Sequence, residues 1–437
     1  MNTSKFANLF LSIGLIISTM ACQSLPKTSV IAAVSWEDAV KNSPIFAQSH
    51  AGFALYDLEK GQMVAQQNAE RYFTPASNTK LYSFYAGLTV LGDSIPAFRY
   101  RQTADSLLIF PTGDPSFLHP DLGYVRSFEF LKNAKQQIYI DLHAPELSYY
   151  GSGWAWDDYN DEYQPEVSAF PMYGNIIRFK ANAKGTFLPN IPVFRSNTQT
   201  NLTANKVQRN FEANIFDIPI KAEDSTQDVP YKTSKALTLS LLSDTLHRNI
   251  NVLPANVSKK GTKIFYSMPS DSLYKRMLQV SDNMLAEHTV VMASAMATDT
   301  LSTEKGIDFV IEKHLSDLPD APQWVDGSGL SRYNLFTPRS TVKLLQKIYA
   351  LVPQQRLFSL LAIGGKAGTI KGMYKEGEPY VFAKSGSLSN VYNLSGFLIT
   401  TKGKVLIFSF MNNNFVKSTS DIRKEVARIL TNIHQNY

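Results

Sequence analysis

A serine and a lysine one helical turn apart, Ser77 and Lys80, are the first residues whose types and spacing could support chemistry. Side chains at positions i and i+3 share one face of a helix, which would bring the lysine amine beside the serine hydroxyl. Free backbone N–H groups and the helix dipole stabilise negative charge on an oxygen at a helix N-terminus. A neutral lysine amine there can remove the serine proton and activate a nucleophile. Serine is also a common N-cap, so this pair alone decides nothing.

A second candidate cluster is Ser281-Asp282-Asn283, at the edge of a segment with helical periodicity. The hydroxyl of Ser281 could relay a proton to a leaving group, and the amide of Asn283 could hold a peptide carbonyl of a substrate. The alternative is that these residues only cap a helix or form a turn. The cluster therefore carries weight only in combination with the others.

Two near-copies of one pattern occur late in the chain: residues 366–369 (KAGT) and the set Lys384, Ser385, Gly386 and Ser387. A lysine and hydroxyl donors can bind a carboxylate, and a glycine allows another backbone to approach closely. Residues 366–369 lie in a glycine-rich stretch without strand alternation. The second copy follows the apolar residues of a predicted strand, whose edge can pair with an extended peptide. We predict that the second copy is functional and the first structural.

The elements that must position these clusters follow from periodicity and turn signals. Residues 52–68 alternate around the turn Glu59-Lys60-Gly61, which predicts a β-hairpin. A buried helical face is predicted after Ser77, and a last amphipathic helix begins near Ile422. A hairpin at the start and a hairpin and helix at the end predict one sheet closed by both ends of the chain.

The fold class predicted from this order is α+β (mixed α/β), with an antiparallel sheet flanked by helices. The texture between residues 94 and 263 differs, because short alternating segments and many turn residues predict a large β-rich insertion. The predicted domains are a catalytic domain formed by residues 35–93 and 264–437, and an inserted β-rich region, residues 94–263.

The N-terminus has the pattern of a secretory signal, residues 1–22, followed by a linker, residues 23–34. Lys5 precedes a short apolar run, residues 9–17, and the segment ends at Cys22, the single cysteine of the chain. A lone cysteine there resembles a bacterial lipoprotein site, although Thr19 stands where leucine is usual. We therefore expect export to the periplasm, lipidation of Cys22 and membrane association through the lipid; plain cleavage after Ala21 is the alternative.

Composition excludes several other classes of function. The 437 residues carry a net charge of +6 without a long basic run, which disfavours a nucleic-acid partner. The seven histidines lack His-x-x-x-His spacing and only one cysteine is present, so a metal site is not expected. The chain has no Gly-x-Ser-x-Gly and no Walker-type loop, and we predict no cofactor.

Together the three clusters, in the order Ser-x-x-Lys, Ser-x-Asn, Lys-Ser-Gly, resemble the penicillin-recognising serine enzymes. Four further segments resemble the D-alanyl-D-alanine carboxypeptidase/endopeptidase family, the class C low-molecular-mass penicillin-binding proteins: GDPSF (113–117), GWAWDDYNDEY (153–163), VSDNMLAE (280–287) and DGSGLSRYNLFTP (326–338). The resemblance implies a penicillin-binding transpeptidase/β-lactamase-like fold. A rival second motif is Tyr173-Gly174-Asn175, a Tyr-x-Asn of the kind found in another branch of these enzymes.

The resemblance implies roles for the clusters. Ser77 would attack the carbonyl of a D-Ala-D-Ala or cross-link bond, Lys80 would act as general base, and Ser281 would pass the proton to the leaving amine. Asn283 would position the peptide group, and the backbone N–H groups of Ser77 and Ser387 would form the oxyanion hole.

The same resemblance implies a set of binding residues. Lys384, Ser385 and Ser387 would hold the terminal carboxylate beside Gly386, although the family usually has threonine in place of both serines. The free end of the stem-peptide side chain would meet Ser328, Leu330 and Arg332.

The function that the resemblance implies is serine-type D-Ala-D-Ala carboxypeptidase or DD-endopeptidase action on peptidoglycan stem peptides. β-Lactam antibiotics would be covalent inhibitors that acylate Ser77. Two alternatives remain open from the sequence, a β-lactamase or esterase of the same superfamily and a catalytically inactive cell-wall-binding protein.

Overall fold

The computed structural model describes residues 35–182, 185–220 and 226–437. The predicted signal, its Cys22 and the linker lie outside these residues. The α-helices of the described part are α1 Trp36–Lys41, α2 Thr79–Val90, α3 Arg126–Lys132, α4 Lys235–Leu246, α5 Ser270–Gln279, α6 Asn283–Thr298, α7 Thr303–His314, α8 Pro338–Leu351, α9 Gln354–Leu360 and α10 Thr419–Asn436. No described helix is long and apolar enough to cross a bilayer.

The strands of the described part fall into four sheets. They are β1 His50–Asp57, β2 Gln62–Gln67, β3 Ser94–Gln102, β4 Ser106–Pro111, β5 Gln137–Ile140, β6 Ile176–Ala181, β7 Phe187–Pro189, β8 Thr198–Asn201, β9 Gln208–Arg209, β10 Phe216–Pro219, β11 Thr226–Pro230, β12 Ile250–Val252, β13 Lys263–Pro269, β14 Ala362–Ile363, β15 Val381–Leu388, β16 Val391–Ile399 and β17 Val405–Asn413.

The largest sheet has the order β14-β15-β16-β17-β1-β2, with every neighbouring pair antiparallel. The N-terminal hairpin joins the C-terminal strands, because β1 pairs with β17 from His50↔Asn413 to Asp57↔Leu406. The first and last strands of the described residues are therefore neighbours in one sheet, and the predicted antiparallel sheet flanked by helices is confirmed.

Strands β3 to β13 form three separate sheets, with the orders β12-β5-β4-β3-β13, β8-β10-β9 and β11-β6-β7. Their apolar side chains, among them Phe98, Phe179 and Phe216, pack in a core of their own. The domain boundary predicted at residues 263 and 264 falls at the start of β13, which pairs with β3. By sheet membership, the β-rich region therefore extends to Pro269.

Helix α2 is buried on nearly all sides, although the periodicity of the sequence predicted only one buried face. Besides Leu81 and Phe84, the side chains of Lys80, Tyr82 and Ser83 are also buried. The cause is the position of α2, which packs against helices α5, α6 and α8. Polar residues on the predicted outer face of this helix therefore lie in the interior.

Helix α10 packs along β16 and also meets α1. Its buried residues include Ile422, Val426, Ile429 and Ile433, which form the stripe that the sequence predicted. The first turn of α10 lies at the end of the sheet where β15 turns into β16, since Arg423 contacts both Ser387 and Tyr392.

Candidate active site

Ser77 lies in a short 3-10 turn, Ala76–Asn78, that leads directly into α2. The side-chain nitrogen Nδ2 of Asn78 donates to Ser395 Oγ on β16 at 2.7 Å, which fixes the turn on the sheet. Ala76 adopts a left-handed conformation with φ of 47°. Such backbone costs about 1–2 kcal/mol for a non-glycine residue, and strain of this kind is concentrated at functional sites.

Lys80, in the first turn of α2, connects the predicted clusters. Its Nζ atom donates to Ser77 Oγ at 2.9 Å, to Asn283 Oδ1 at 2.5 Å and to the carbonyl of Ser328 at 2.6 Å. Full burial lowers the pKa of Lys80 to about 8, and this effect outweighs the negative charges of Asp326 and Glu287, which raise the pKa. A lysine with this pKa is neutral often enough at neutral pH to act as a base.

Ser281 and Asn283 lie where α5 ends and α6 begins. Ser281 has a left-handed backbone with φ of 67°, and its Oγ accepts a hydrogen bond from Lys384 Nζ at 3.0 Å. The amide nitrogen of Asn283 donates to the carbonyl of Tyr163 at 2.8 Å, while its Oδ1 accepts from Lys80. One N–H of the Asn283 amide remains for a ligand.

The strand β15 carries Lys384, Ser385, Gly386 and Ser387 along the turn Ala76–Asn78. A Cβ atom on Gly386 would lie 2.6 Å from the carbonyl oxygen of Pro75 and 2.9 Å from the backbone nitrogen of Ser77. Only glycine permits this approach. The strand therefore comes close enough to Ser77 to form one wall of a site.

Lys384 points away from solvent, and its side chain is fully buried. Its Nζ atom donates to Ser281 Oγ and, at 2.6 Å, to the carbonyl of Ser385. Burial and the neighbouring charge of Lys80 hold the pKa of Lys384 well below the usual value for lysine. The resemblance assigns Lys384 to a substrate carboxylate, whereas the structure shows it hydrogen-bonded to Ser281.

The two copies of the Lys-small-Gly-hydroxyl pattern meet in space. Ser385 Oγ donates to Thr369 Oγ1 at 2.7 Å, so the last residue of the first copy touches the second residue of the other. Lys366 is exposed and does not line the cleft. None of residues 366–369 lines the cleft, but Thr369 adjoins the second copy through Ser385.

The loop after α7 contains Ser328, whose carbonyl accepts a hydrogen bond from Lys80, and two carboxyl groups hold this loop in place. Glu287 on α6 accepts hydrogen bonds from the backbone N–H groups of Gly327, at 3.0 Å, and Ser328, at 2.7 Å. Asp326 accepts from the backbone N–H groups of Gly329 and Ser331, and from Trp154 Nε1. Burial and Asp326 raise the pKa of Glu287 to about 8.

Sequence reasoning did not name Glu287 or Asp326 as site residues. The available signal was the spacing of Glu287, which lies four residues after Asn283 and hence on the same face of α6. Both carboxylates lie inside segments that carried the family resemblance, 280–287 and 326–338.

A cleft of about 570 Å³ opens in front of Ser77. It is lined by Ser77, Ser281, Asn283, Ser387, Leu330 and Arg332, together with Gly153, Ala155, Asp157, Asp158, Tyr163 and Gln164 from the β-rich region. A cavity of about 630 Å³ elsewhere, between residues 141–149 and 233–238, holds none of the predicted site residues. The cleft at Ser77 is therefore the candidate active site.

Two of the predicted pocket residues line this cleft and one does not. Leu330 and Arg332 face it, and Arg332 donates to the carbonyl of Ser389 at 2.9 Å. Ser328 is fully buried behind the cleft, where its carbonyl binds Lys80 and its Oγ accepts from the backbone of Leu330. In this structure Ser328 therefore supports Lys80 and does not line the pocket.

The rival motif, Tyr173-Gly174-Asn175, lies away from the cleft. Asn175 Nδ2 donates to the carbonyl of Glu166 and to Ser168 Oγ, and the Tyr173 hydroxyl bonds to Thr245. These contacts hold together the β-rich region, so the geometry favours Ser281 and Asn283 as the second cluster.

A serine beside a buried lysine, set against an edge of an antiparallel sheet that helices flank, defines a serine enzyme of the penicillin-binding class. Residues 33–433 match the model of the D-Ala-D-Ala carboxypeptidase 3 (S13) family. The chain therefore belongs to this family, and the resemblance found in the sequence is confirmed.

Curated relatives agree with this assignment, and a solved structure has a similar fold. D-alanyl-D-alanine carboxypeptidase DacB of Haemophilus influenzae is 23% identical over 438 residues, which cover 87% of this chain and 88% of the relative. Penicillin-sensitive carboxypeptidase A of Dictyostelium discoideum is 22% identical over 86% of this chain and 85% of the relative. The structure of penicillin-binding protein 4 from H. influenzae matches with a TM-score of 0.69 and 20% identity, over 92% of this chain and 99% of that one.

Proposed function

We propose that this protein is a serine-type D-Ala-D-Ala carboxypeptidase or DD-endopeptidase that cleaves peptidoglycan stem peptides through an acyl-enzyme on Ser77. One observation carries the proposal: Ser77 Oγ accepts a hydrogen bond from the buried Lys80 in a cleft that also holds Ser281 and Asn283. β-Lactams would acylate the same oxygen. Membership of the S13 family and the names of its relatives support this reading.

Acylation begins when neutral Lys80 removes the proton of Ser77 and the serine oxygen attacks the carbonyl carbon of the scissile bond. The negative oxygen of the tetrahedral intermediate receives hydrogen bonds from the backbone N–H groups of Ser77 and Ser387. Each such donor contributes about 3–4 kcal/mol to transition-state stabilisation. The remaining N–H of Asn283 positions the peptide group.

The leaving D-alanine amine takes a proton when the C–N bond breaks. Ser281 Oγ accepts from Lys384, so its own O–H is free to donate to that amine. The proton that Lys80 received returns through Ser281, which restores both groups. Water then attacks the ester carbonyl of the acyl-enzyme with Lys80 again as base, and Ser77 is released.

The side chain of the stem peptide occupies the outer part of the cleft in this proposal. Leu330 provides apolar contact, and the exposed Arg332 suits a carboxylate. Asp157 and Asp158 lie on the wall contributed by the β-rich region and favour a positive group. We also propose the predicted division into a catalytic domain and an insertion, which the separate sheets and cores support.

Labelling by a fluorescent penicillin tests the proposal directly. The wild-type protein should be labelled covalently, and Ser77→Ala should not, while Thr89→Ala, whose hydroxyl bonds to carbonyls of α2 itself, should retain the label. Release of D-alanine from a stem pentapeptide would identify carboxypeptidase action, and cleavage of a cross-linked dimer would identify endopeptidase action. Rapid turnover of a chromogenic β-lactam without either product would favour the β-lactamase alternative.

We also propose export to the periplasm and anchoring through a lipid on Cys22, supported by the pattern of residues 1–22. Metabolic labelling with an alkyne fatty acid should tag the wild-type protein and fail with Cys22→Ala. A labelled Cys22→Ala variant would contradict the anchor.

A further inference from the structure

A positively charged side chain would bind the terminal carboxylate of the substrate. The contacts of Lys384 argue against Lys384 as that side chain. The Nζ atom of Lys384 is fully buried and donates to Ser281 Oγ and to the carbonyl of Ser385. Burial and Lys80 lower the pKa of Lys384, so its positive charge is disfavoured. A buried amine that already donates to Ser281 and to the carbonyl of Ser385 is a poor partner for an anion held by hydroxyls on the other face of β15.

The hydroxyls that would receive the carboxylate point to the other side of β15. Ser385 and Ser387 occupy alternate positions on one face of the strand, whereas Lys384 and Gly386 occupy the opposite face. Ser385 touches Thr369, and Ser387 is exposed and lines the cleft. A ligand held by these hydroxyls therefore meets the groups that flank this face.

Arg423 is a cation that lies directly beside the hydroxyl of Ser387. Its Nη2 atom lies 3.4 Å from Ser387 Oγ, and its guanidinium lies over the ring of Tyr392, 5.2 Å from the ring centroid. Tyr392 is the partner of Ser387 in the β15–β16 register, so the ring fixes the guanidinium beside this hydroxyl. Within the described residues, Arg423 forms no ion pair with a carboxylate.

We propose that Arg423, on the first turns of α10, supplies the positive charge that recognises the terminal carboxylate of substrates and of β-lactams, next to the hydroxyl of Ser387. The inference rests on the proposed function, because Arg423 adjoins Ser387, which lines the cleft, and would act on the substrate of the same reaction. Arg423 donates to Ser387 Oγ, which leaves the serine O–H to donate to the carboxylate. An arginine stays charged at every relevant pH and offers several donors to one carboxylate.

In this arrangement Lys384 does not bind the carboxylate. It orients Ser281 for proton transfer and fixes the strand through the carbonyl of Ser385. Recognition of the carboxylate and transfer of the proton are thus divided between two basic side chains, Arg423 and Lys384, that lie against opposite faces of β15.

The test compares benzylpenicillin with its methyl ester, which has the same β-lactam but no carboxylate charge. For Arg423→Gln, the second-order acylation rate constant should fall about ten- to a hundredfold with the acid and change little with the ester. Arg423→Lys should retain an intermediate preference for the acid. Lys424→Gln removes an equal charge from the next residue and should leave both rate constants unchanged.

Loss of reactivity with acid and ester alike, or unchanged reactivity with both, would overturn the assignment of Arg423. A wild-type protein that neither compound labels at Ser77 would overturn the proposed function and this inference together. Thermal unfolding of Arg423→Gln within a few degrees of wild type shows that any loss belongs to the site. If Arg423→Gln is unstable, the acid-to-ester ratio of Arg423→Lys decides: a ratio below that of wild type supports the assignment, and a ratio equal to that of wild type overturns it.

Discussion

The hydroxyl of Ser385 donates a hydrogen bond to the hydroxyl of Thr369 over 2.7 Å, which joins the two similar Lys-small-Gly segments side by side. The strand copy supplies the wall of the cleft, and the loop copy supports that wall from outside. The contact also gives Thr369 a free O–H beside the face on which a carboxylate would bind.

We predict that Thr369→Val slows acylation by benzylpenicillin about three- to tenfold, because it removes one neutral hydrogen bond and preserves the side-chain shape. Stopped-flow measurement of the acylation rate constant gives the result. Lys366→Ala, in the same loop, should leave the rate unchanged. A larger loss for Lys366→Ala than for Lys384→Ala would show that the wrong copy was chosen as functional.

The turn at Glu59-Lys60-Gly61 was sufficient to predict the hairpin of β1 and β2, although β1 is buried on both faces. Periodicity was sufficient to predict the buried stripe of α10, because that helix has one face toward a core. Periodicity did not predict the burial of Lys80, because a lysine on an amphipathic helix is normally exposed. Lys80 is buried because α2 packs against three other helices. The role of Arg423 was hidden as well, because 36 residues and a change of element separate it from Ser387.

The three motifs were found from residue types alone, but their connections were not. The carbonyl of Tyr163 holds Asn283 and Trp154 holds Asp326, so the β-rich region takes part in the site. Such contacts depend on how two distant segments fold together, which no local pattern contains. Every residue has a backbone carbonyl, so residue types cannot show which carbonyls take part in the site.

The second prediction concerns pH. The neutral form of Lys80 is the base, and burial lowers its pKa from 10.5 to about 8. Acylation should therefore rise with pH, about tenfold per unit below pH 8, and level off above it. The measurement is the acylation rate constant of a chromogenic β-lactam from pH 6 to 10.

Replacement of Lys80 tests the assignment of that titration. Lys80→Arg cannot lose its proton, so acylation should fall by about a hundred- to ten-thousandfold and the rising limb should disappear. Lys384→Met should lower the rate but keep the midpoint near pH 8. A flat profile in the wild type would contradict the role of Lys80.

The third prediction concerns Gly386. A methyl group there would meet the carbonyl oxygen of Pro75 and the backbone nitrogen of Ser77, so Gly386→Ala should push β15 away from the nucleophile. We expect a loss of about 1–3 kcal/mol in unfolding free energy and at least about tenfold slower acylation. Denaturant unfolding and penicillin labelling measure the two effects. Gly372→Ala is the matched control, because a Cβ there meets nothing within 4 Å.

The fourth prediction concerns Glu287, whose carboxylate holds the loop that presents the carbonyl of Ser328 to Lys80. Glu287→Gln replaces one carboxyl oxygen by an NH2 group, which cannot accept from a backbone N–H as either oxygen of a protonated or ionised carboxyl can, so one N–H loses its acceptor at a cost of about 1–3 kcal/mol. Acylation should also slow, because the carbonyl that orients Lys80 shifts. Glu304→Gln, at the start of the following helix α7, has no such contact and serves as control.

The pH dependence of unfolding separates the charge of Glu287 from its shape. Its pKa is about 8 in the folded protein and 4.5 as the ordinary value, so between these limits the folded state binds a proton that the unfolded state has lost. The unfolding free energy of the wild type should therefore decrease, relative to Glu287→Gln, as pH rises from about 5 to 8.

Lys80 affects stability in a different pH range, between about 8 and 10.5, where its lowered pKa makes the folded state gain stability as pH rises. Urea unfolding at unit pH intervals resolves the two windows, and a constant difference between wild type and Glu287→Gln from pH 5 to 8 would show that Glu287 stays ionised in the fold.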